Sequence, residues 1–178
     1  MASKAGRAVA AIVGVAVALA SAGCSVRAQM AYSIDGAVTT IAQVSEMYNS
    51  CLAATTGTEY TEDVQSRVRE MIMADLGRRV ASAEGIDAND DALRAQLESG
   101  DVAKPQLKVM LNDQKCSELA VSLVLYGMVL SQIGAEKLTA DIAGHAVVVN
   151  PRFGTWNPIE AKLERTGSMS QEGLSSAG

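Results

Sequence analysis

The stretch that decides the fold is residues 105–133, PQLKVMLNDQKCSELAVSLVLYGMVLSQI. Pro105 suits the first turn of a helix, and apolar residues recur at helical spacing as far as Ile133. Residues 119–130 are apolar on nearly all sides, which predicts a helix buried in the centre of a domain. The polar residues 112–118 predict a bend or an exposed turn. The apolar run is too short for a membrane span, so we interpret it as a core helix.

Amphipathic helices are predicted on both sides of this core helix. Thr40 and Gln43 have the spacing of a capping box, ahead of a helix that ends before Gly57. A second helix begins at Thr61 and stops at Gly85. Two short helices complete the set: residues 90–98, capped by Asp87 or Asn89, and residues 137–144, capped by Thr139.

Two strands are predicted at the ends of this helical part. Residues 30–34 and 37–39 flank an Asp35-Gly36 turn, and the β-branched run 146–149 predicts a closing strand. The predicted fold class is therefore mainly α. It has four to five helices closed by a small two-stranded β element that pairs the N- and C-terminal strands.

The segment after the closing strand, residues 150–158, has two prolines and a glycine, which predict irregular structure. It also carries the only Phe and the only Trp of the chain. We expect Pro151, Arg152, Phe153 and Trp156 to anchor this segment on the helices, with Arg152 pairing with a helix acid or a C-terminal carbonyl. Direct contact of the two aromatic rings with a bound polypeptide is the alternative.

The N-terminus has the layout of a lipoprotein leader. Lys4 and Arg7 precede an apolar run of signal-peptide length, and Leu19-Ala20-Ser21-Ala22-Gly23-Cys24 resembles a bacterial lipobox, whose cysteine is lipidated. Ordinary secretion with cleavage after Ala28 and an uncleaved anchor are the alternatives, and all three place the domain on the extracytoplasmic side of the cell membrane. The predicted divisions are a signal peptide over 1–23, a lipidated tether over 24–29, a helical domain over 30–165 and a disordered tail over 166–178.

The charge balance argues against nucleic acid as a partner. The chain carries 15 basic and 20 acidic residues, and loss of Lys4 and Arg7 with the leader leaves 13 basic residues and a net charge of −7. A chain of that sign without a Lys/Arg cluster lacks the electrostatic footprint that phosphate backbones demand. We expect membrane contact through the lipid anchor only.

Cys51 and Cys116 remain once Cys24 is assigned to lipid. An even pair in a compartment that tolerates disulfides predicts a bridge. Closing a loop of that length stabilises a domain by about 4 kcal/mol in the chain-entropy model. Two buried, unpaired thiols are the alternative.

No catalytic site, metal or cofactor is predicted, and we expect the protein not to be an enzyme. The single histidine, His145, stands beside the last strand, and the carboxylates lack metal-ligand spacing. The positive signal is for binding, because flexible methionines on helical apolar faces suit a groove that accepts varied apolar segments. Filling a core that has little Phe is the alternative for each of them. The groove candidates are Met47, Met71, Met110 and Met128, with Met73 nearby.

Three segments resemble the N-terminal chaperone domain of the SurA family. Ala31-Tyr32-Ser33-Ile34-Asp35-Gly36, followed by Val38-Thr39 and a helix, is similar to its opening. Val147-Val148-Val149-Asn150-Pro151-Arg152-Phe153-Gly154-Thr155-Trp156 resembles the ending of actinobacterial SurA-like lipoproteins, and Ala83-Glu84-Gly85-Ile86-Asp87 resembles a helix end of the family. The resemblance implies a helical module that cradles unfolded polypeptides. The parvulin isomerase domain that often accompanies it is not expected here.

Together these features predict an envelope lipoprotein that binds unfolded or secreted polypeptides as an ATP-independent, non-isomerase chaperone. A structural or adaptor lipoprotein that docks one envelope partner is the main alternative, and the breadth of clients separates the two classes. A small-molecule carrier is the third alternative, which a co-purifying buried ligand would reveal.

Overall fold

The structure, a computed structural model, describes residues 29–60, 63–100 and 105–164. The predicted signal peptide, the predicted tail and all of the predicted tether except Gln29 lie outside these described residues. Cys24 belongs to that outside part, so its lipidation stays a prediction.

The described residues form six helices and five short strands. The helices are α1 (Ile41–Thr55), α2 (Val64–Ala83), α3 (Asp90–Ser99), α4 (Pro105–Val109), α5 (Gln114–Ile133) and α6 (Ala135–Ala143), with a 3-10 turn at Met110–Asn112 between α4 and α5. The strands are β1 (Met30–Ile34), β2 (Ala37–Thr40), β3 (Val147–Val149), β4 (Thr155–Asn157) and β5 (Lys162–Glu164). The predicted mainly α fold with a small β part is confirmed; the sheets are antiparallel, and the helices and strands outnumber the prediction.

α2 and α5 pack along each other and form the centre of the core. Gly77 on α2 lets the helices approach closely, because a Cβ there would lie 3.1 Å from Cβ and 3.2 Å from Cα of Tyr126 on α5. α5 also contacts α1, α3, α4 and α6. These neighbours surround the helix on several sides, which explains its nearly continuous apolar sequence.

Two of the predicted helix starts are confirmed by their caps. The Thr40 Oγ1 accepts a hydrogen bond from the Gln43 N–H at 3.2 Å, and the Gln43 side chain accepts one from the Thr40 N–H at 2.8 Å. This is the reciprocal capping box that the spacing predicted. Asn89 caps α3 by accepting from the Ala92 N–H at 3.0 Å.

Three other helices begin at residues different from the predicted ones. The predicted start of the second helix, Thr61, lies outside the described residues, and α2 begins at Val64 after its cap, Asp63. The long helix predicted from Pro105 is broken: Asp113 accepts from the Cys116 N–H at 3.0 Å and opens α5, so the polar residues that follow Asp113 are helical. α6 begins after Gly134, and Thr139 lies inside it.

The first and last predicted strands pair as expected, but within a larger sheet. β1 lies between β2 and β3, antiparallel to both, with Tyr32 opposite Val149. The turn from β1 to β2 uses Asp35 and Gly36 at φ 51° and φ 83°. Two residues with positive φ are the signature of the hairpin turn that an Asp-Gly pair favours. The two-stranded element of the prediction is therefore a three-stranded sheet.

A second hairpin, β4–β5, closes the described chain on the outer side of α2. The prediction of irregular structure was wrong for Thr155–Asn157, which forms β4. Two side chains of α2 hold this region through its backbone carbonyls. Gln65 Nε2 donates to the Phe153 carbonyl at 2.8 Å, and Arg69 Nε donates to the Ala161 carbonyl at 3.0 Å.

α5 is the one described helix that is long and apolar enough to cross a membrane, so the expectation that its apolar run is too short for a span was wrong. Half of its most apolar window is buried inside the domain. Its contacts with the five other helices and the 3-10 turn are those of a core helix.

Candidate functional site

An open pocket of about 400 Å³ lies between β1, α1, α2 and α5, with the first residue of α3 at its rim. We call it the methionine pocket. Its lining combines an apolar part with a charged part. The lining residues are Tyr32, Met47, Met71, Ala74, Asp75, Arg78, Asp90, Glu118, Leu119 and Ser122.

The apolar part of the methionine pocket comes from three helices. Met47 on α1 is half-buried, and Met71 on α2 and Leu119 on α5 are buried. Both thioethers sit on unbranched side chains with several rotatable bonds, so they can adapt to apolar groups of different shape. This part of the pocket can therefore accept apolar groups of more than one shape.

Arg78 is held in the charged part by two partners. Its Nη2 lies 3.1 Å from both carboxylate oxygens of Asp90, and its Nε donates to the Ser122 Oγ at 3.1 Å. The Ser122 hydroxyl in turn donates to the Glu118 carbonyl at 2.8 Å. The guanidinium therefore links α2 to α3 and α5, and the Asp90 carboxylate compensates most of its positive charge.

Asp75 reaches the methionine pocket beside a buried tyrosine. The Tyr32 hydroxyl donates to Asp75 Oδ2 at 2.7 Å, and the Tyr32 side chain is only 1% exposed. Burial raises the pKa of this hydroxyl far above its ordinary value, and the Asp75 charge raises the pKa further. The phenol therefore stays protonated and keeps donating to the carboxylate.

The predicted cysteine pair lies next to the pocket at disulfide distance. The Cys51 and Cys116 sulfur atoms are 2.12 Å apart and their Cα atoms 4.8 Å apart, within the range of bridged cysteines. The pair joins α1 to α5. The Cys51 Sγ is also 4.0 Å from the Met47 Sδ, so the bridge contacts one of the lining methionines.

The structure brings together two of the four predicted groove methionines. Met47 and Met71 line the methionine pocket. Met110, the first residue of the 3-10 turn, is 3% exposed and belongs to the core. Met128 and Met73 are half-buried and pack against the core outside the pocket.

The predicted anchors of the closing segment divide into buried and exposed residues. Phe153 and Trp156 are buried, at 8% and 9% exposure. Pro151 and Arg152 are exposed. The Arg152 guanidinium carbon lies 5.2 Å from the centroid of the Phe153 ring, in the range of a cation–π contact. In the described residues it makes no ion pair with a helix acid, unlike the pairing predicted for it.

His145 lies in a small polar cluster away from the methionine pocket. Its Nδ1 is 2.6 Å from Asp35 Oδ2, and Arg79 Nη1 is 3.4 Å from the same oxygen. The Ala146 N–H donates to Asp35 Oδ1 at 2.9 Å. The backbone hydrogen bond from Ala146, followed by that from His145, holds the pKa of Asp35 below its usual value. The cluster ties the β1–β2 turn to the start of β3.

The sequence reasoning missed the charged residues of the methionine pocket. Asp75 follows Met71 by four residues and so lies on the inward face of α2, where a charge is unusual. Glu118 lies four residues before Ser122 on α5 and shares its face in the same way. The sequence signal that could have found them is a charged residue at a helix position where the spacing predicts an apolar one.

Across the described ranges, no group of three or more His, Cys, Asp or Glu residues could hold a metal ion. The chain matches no protein-family model, no curated protein and no solved structure. The likeness to SurA domains therefore rests on the sequence segments alone.

Proposed function

We propose that the protein is an extracytoplasmic polypeptide-binding protein, a non-isomerase chaperone that holds segments of unfolded or secreted polypeptides without ATP. The observation that carries the proposal is the methionine pocket, in which Met47 and Met71 from different helices meet Leu119 at an open surface. Flexible thioethers are characteristic of surfaces that accept varied polypeptides. Lipidation at Cys24 would keep this pocket at the outer face of the cell membrane.

The size of the pocket sets how a client would bind. About 400 Å³ is at the lower end of ligand pockets and has room for roughly one or two side chains, not for a length of folded chain. Each engagement is then local and reversible. A client would exchange successive apolar side chains through the pocket, while the acidic surface of the protein keeps the complex soluble.

A structural or adaptor lipoprotein that docks a single envelope partner is the second candidate. The charged part of the pocket favours it, because the Asp75 carboxylate, held by the Tyr32 hydroxyl, favours a complementary group in one place. Broad capture of apolar segments does not depend on a matching charge in the bound polypeptide. The two candidates therefore differ in how many unrelated polypeptides the pocket holds.

Aggregation suppression separates the two candidates. The purified protein is mixed with two unrelated unfolded proteins in the absence of nucleotide, and light scattering is followed. We expect suppression of both at near-stoichiometric ratio. No effect on either, with saturable binding of one envelope protein, would establish the adaptor instead.

A matched pair of methionine variants locates the activity. Met47→Gln keeps the length of the side chain but replaces the thioether of the pocket by an amide, which we expect to weaken client binding by about 1 kcal/mol, or roughly fivefold. Met128→Gln makes the same change at a half-buried methionine outside the pocket and should leave binding unchanged. Equal effects of the two variants would exclude the pocket as the binding site.

A further inference from the structure

We propose that the methionine pocket takes a basic side chain, lysine or arginine, of the bound polypeptide. The inference rests on the proposed function, because it names the chemistry of the segment that the same pocket holds.

The charges that line the pocket do not balance. Three carboxylates, those of Asp75, Asp90 and Glu118, face one cation, Arg78. Arg78 and Asp90 neutralise each other through the contacts at 3.1 Å. No Lys, Arg or His nitrogen of the described residues lies within ion-pair distance of Asp75 or Glu118. The pocket therefore carries two negative charges that the described part of the chain leaves uncompensated.

Asp75 is the carboxylate that gains most from an added cation. It is half-buried, and its Oδ2 accepts the hydroxyl hydrogen of Tyr32 at 2.7 Å. In the described residues its Oδ1 accepts no hydrogen bond. A carboxylate withdrawn from water is costly unless it is paired and hydrogen-bonded. An ammonium or guanidinium group can supply both the opposite charge and the missing donor.

The apolar part of the pocket fits the rest of a basic side chain. Lysine and arginine place three or four methylene groups before the charged head, and these stems pack on apolar surface while the head stays among polar groups. Met47, Met71 and Leu119 offer such a surface next to the two carboxylates. A purely aliphatic side chain would use only this surface, and an acidic side chain would be repelled.

Binding of charge-matched peptides tests the selectivity. Three short blocked peptides that differ only in the residue between two leucines, Lys, Gln or Glu, are titrated with the protein by fluorescence anisotropy. We expect the Lys peptide to bind on the order of tenfold more tightly than the Gln peptide, and the Glu peptide to bind least. Raising NaCl from about 0.01 M to about 0.15 M shortens the Debye length from roughly 30 Å to roughly 8 Å and should reduce the Lys advantage.

Substitutions at the two carboxylates assign the preference to the pocket. Glu118→Gln removes an exposed charge whose carboxylate has no partner in the described residues, so it should fold normally and reduce the Lys advantage about threefold. Adding Asp75→Asn, which keeps an acceptor for Tyr32, should remove the advantage. The double variant Glu98→Gln with Glu136→Gln deletes two exposed charges outside the pocket and should leave the preference intact.

The outcomes distinguish this inference from the proposed function. If the three peptides bind equally well, or if the Glu98/Glu136 control loses the preference as the pocket variants do, the charge selectivity is refuted while polypeptide binding stands. If no peptide binds and no aggregation is suppressed, the proposed function fails, and the inference fails with it.

Discussion

Gly77→Ala should destabilise the protein, although alanine is the better helix former. Within a helix the replacement of glycine by alanine is favourable by about 1 kcal/mol. Here the new Cβ would lie 3.1 Å from Cβ and 3.2 Å from Cα of Tyr126, closer than ordinary van der Waals contact. Since Cα is backbone, relief requires α2 and α5 to move apart along the centre of the core. Overpacking of this kind costs about 1–3 kcal/mol, so after the helix-propensity gain we expect a net loss of up to about 2 kcal/mol.

Urea unfolding followed by far-UV circular dichroism measures this loss. For a domain of this size the corresponding fall in Tm is up to roughly 6 °C. Gly127→Ala is the matched control: it lies on α5 next to Tyr126, and a Cβ there meets no atom within 4 Å. That variant should be more stable by about 0.5–1 kcal/mol. If both variants gain stability equally, α2 and α5 do not make the close approach described above.

Two further predictions concern the disulfide and the turn cluster. Replacing Cys51 and Cys116 together by alanine should lower the free energy of unfolding by about 4 kcal/mol, given their separation of 65 residues. A reductant should lower the urea midpoint of the parent protein but not that of the double variant. An unchanged midpoint of the parent protein would count against the bridge. Asp35 has a pKa lowered from 3.8, so its carboxylate stabilises the fold above that pH, and the stabilisation is lost as pH falls below it. Asp35→Asn, which tolerates the positive φ of the turn, should therefore flatten the stability profile below about pH 4, whereas Asp87→Asn in an exposed loop should not.

The parts of the fold that follow from neighbouring residues could be predicted from the sequence. The capping box of Thr40 and Gln43, the Asn89 cap and the Asp35-Gly36 turn are local devices, and all three appear where the sequence predicted them. Their energetics depend on residues within a few positions of one another. No tertiary information is needed to recognise them.

The parts that depend on distant contacts could not be read in the same way. β4 and β5 have three residues each, and their region is held by Gln65 and Arg69, about ninety residues earlier in the chain. The role of Asp113 as the cap of α5 could not be recognised, because it lies in a polar stretch that is as typical of a turn as of a helix start. The methionine pocket combines residues of five elements, so helical spacing found the lining methionines but not their charged neighbours.

Trp156 gives the molecule an optical reporter at a defined place. It is the chain's only tryptophan, it is 9% exposed, and its indole Nε1 has no hydrogen-bond partner in the described residues. An indole in so dry a setting emits at shorter wavelength than one in water. Because the residue belongs to β4, its emission follows the attachment of the second hairpin to α2, whereas circular dichroism follows the helices. Recording both on one sample separates loosening at the edge of the domain from loss of its centre.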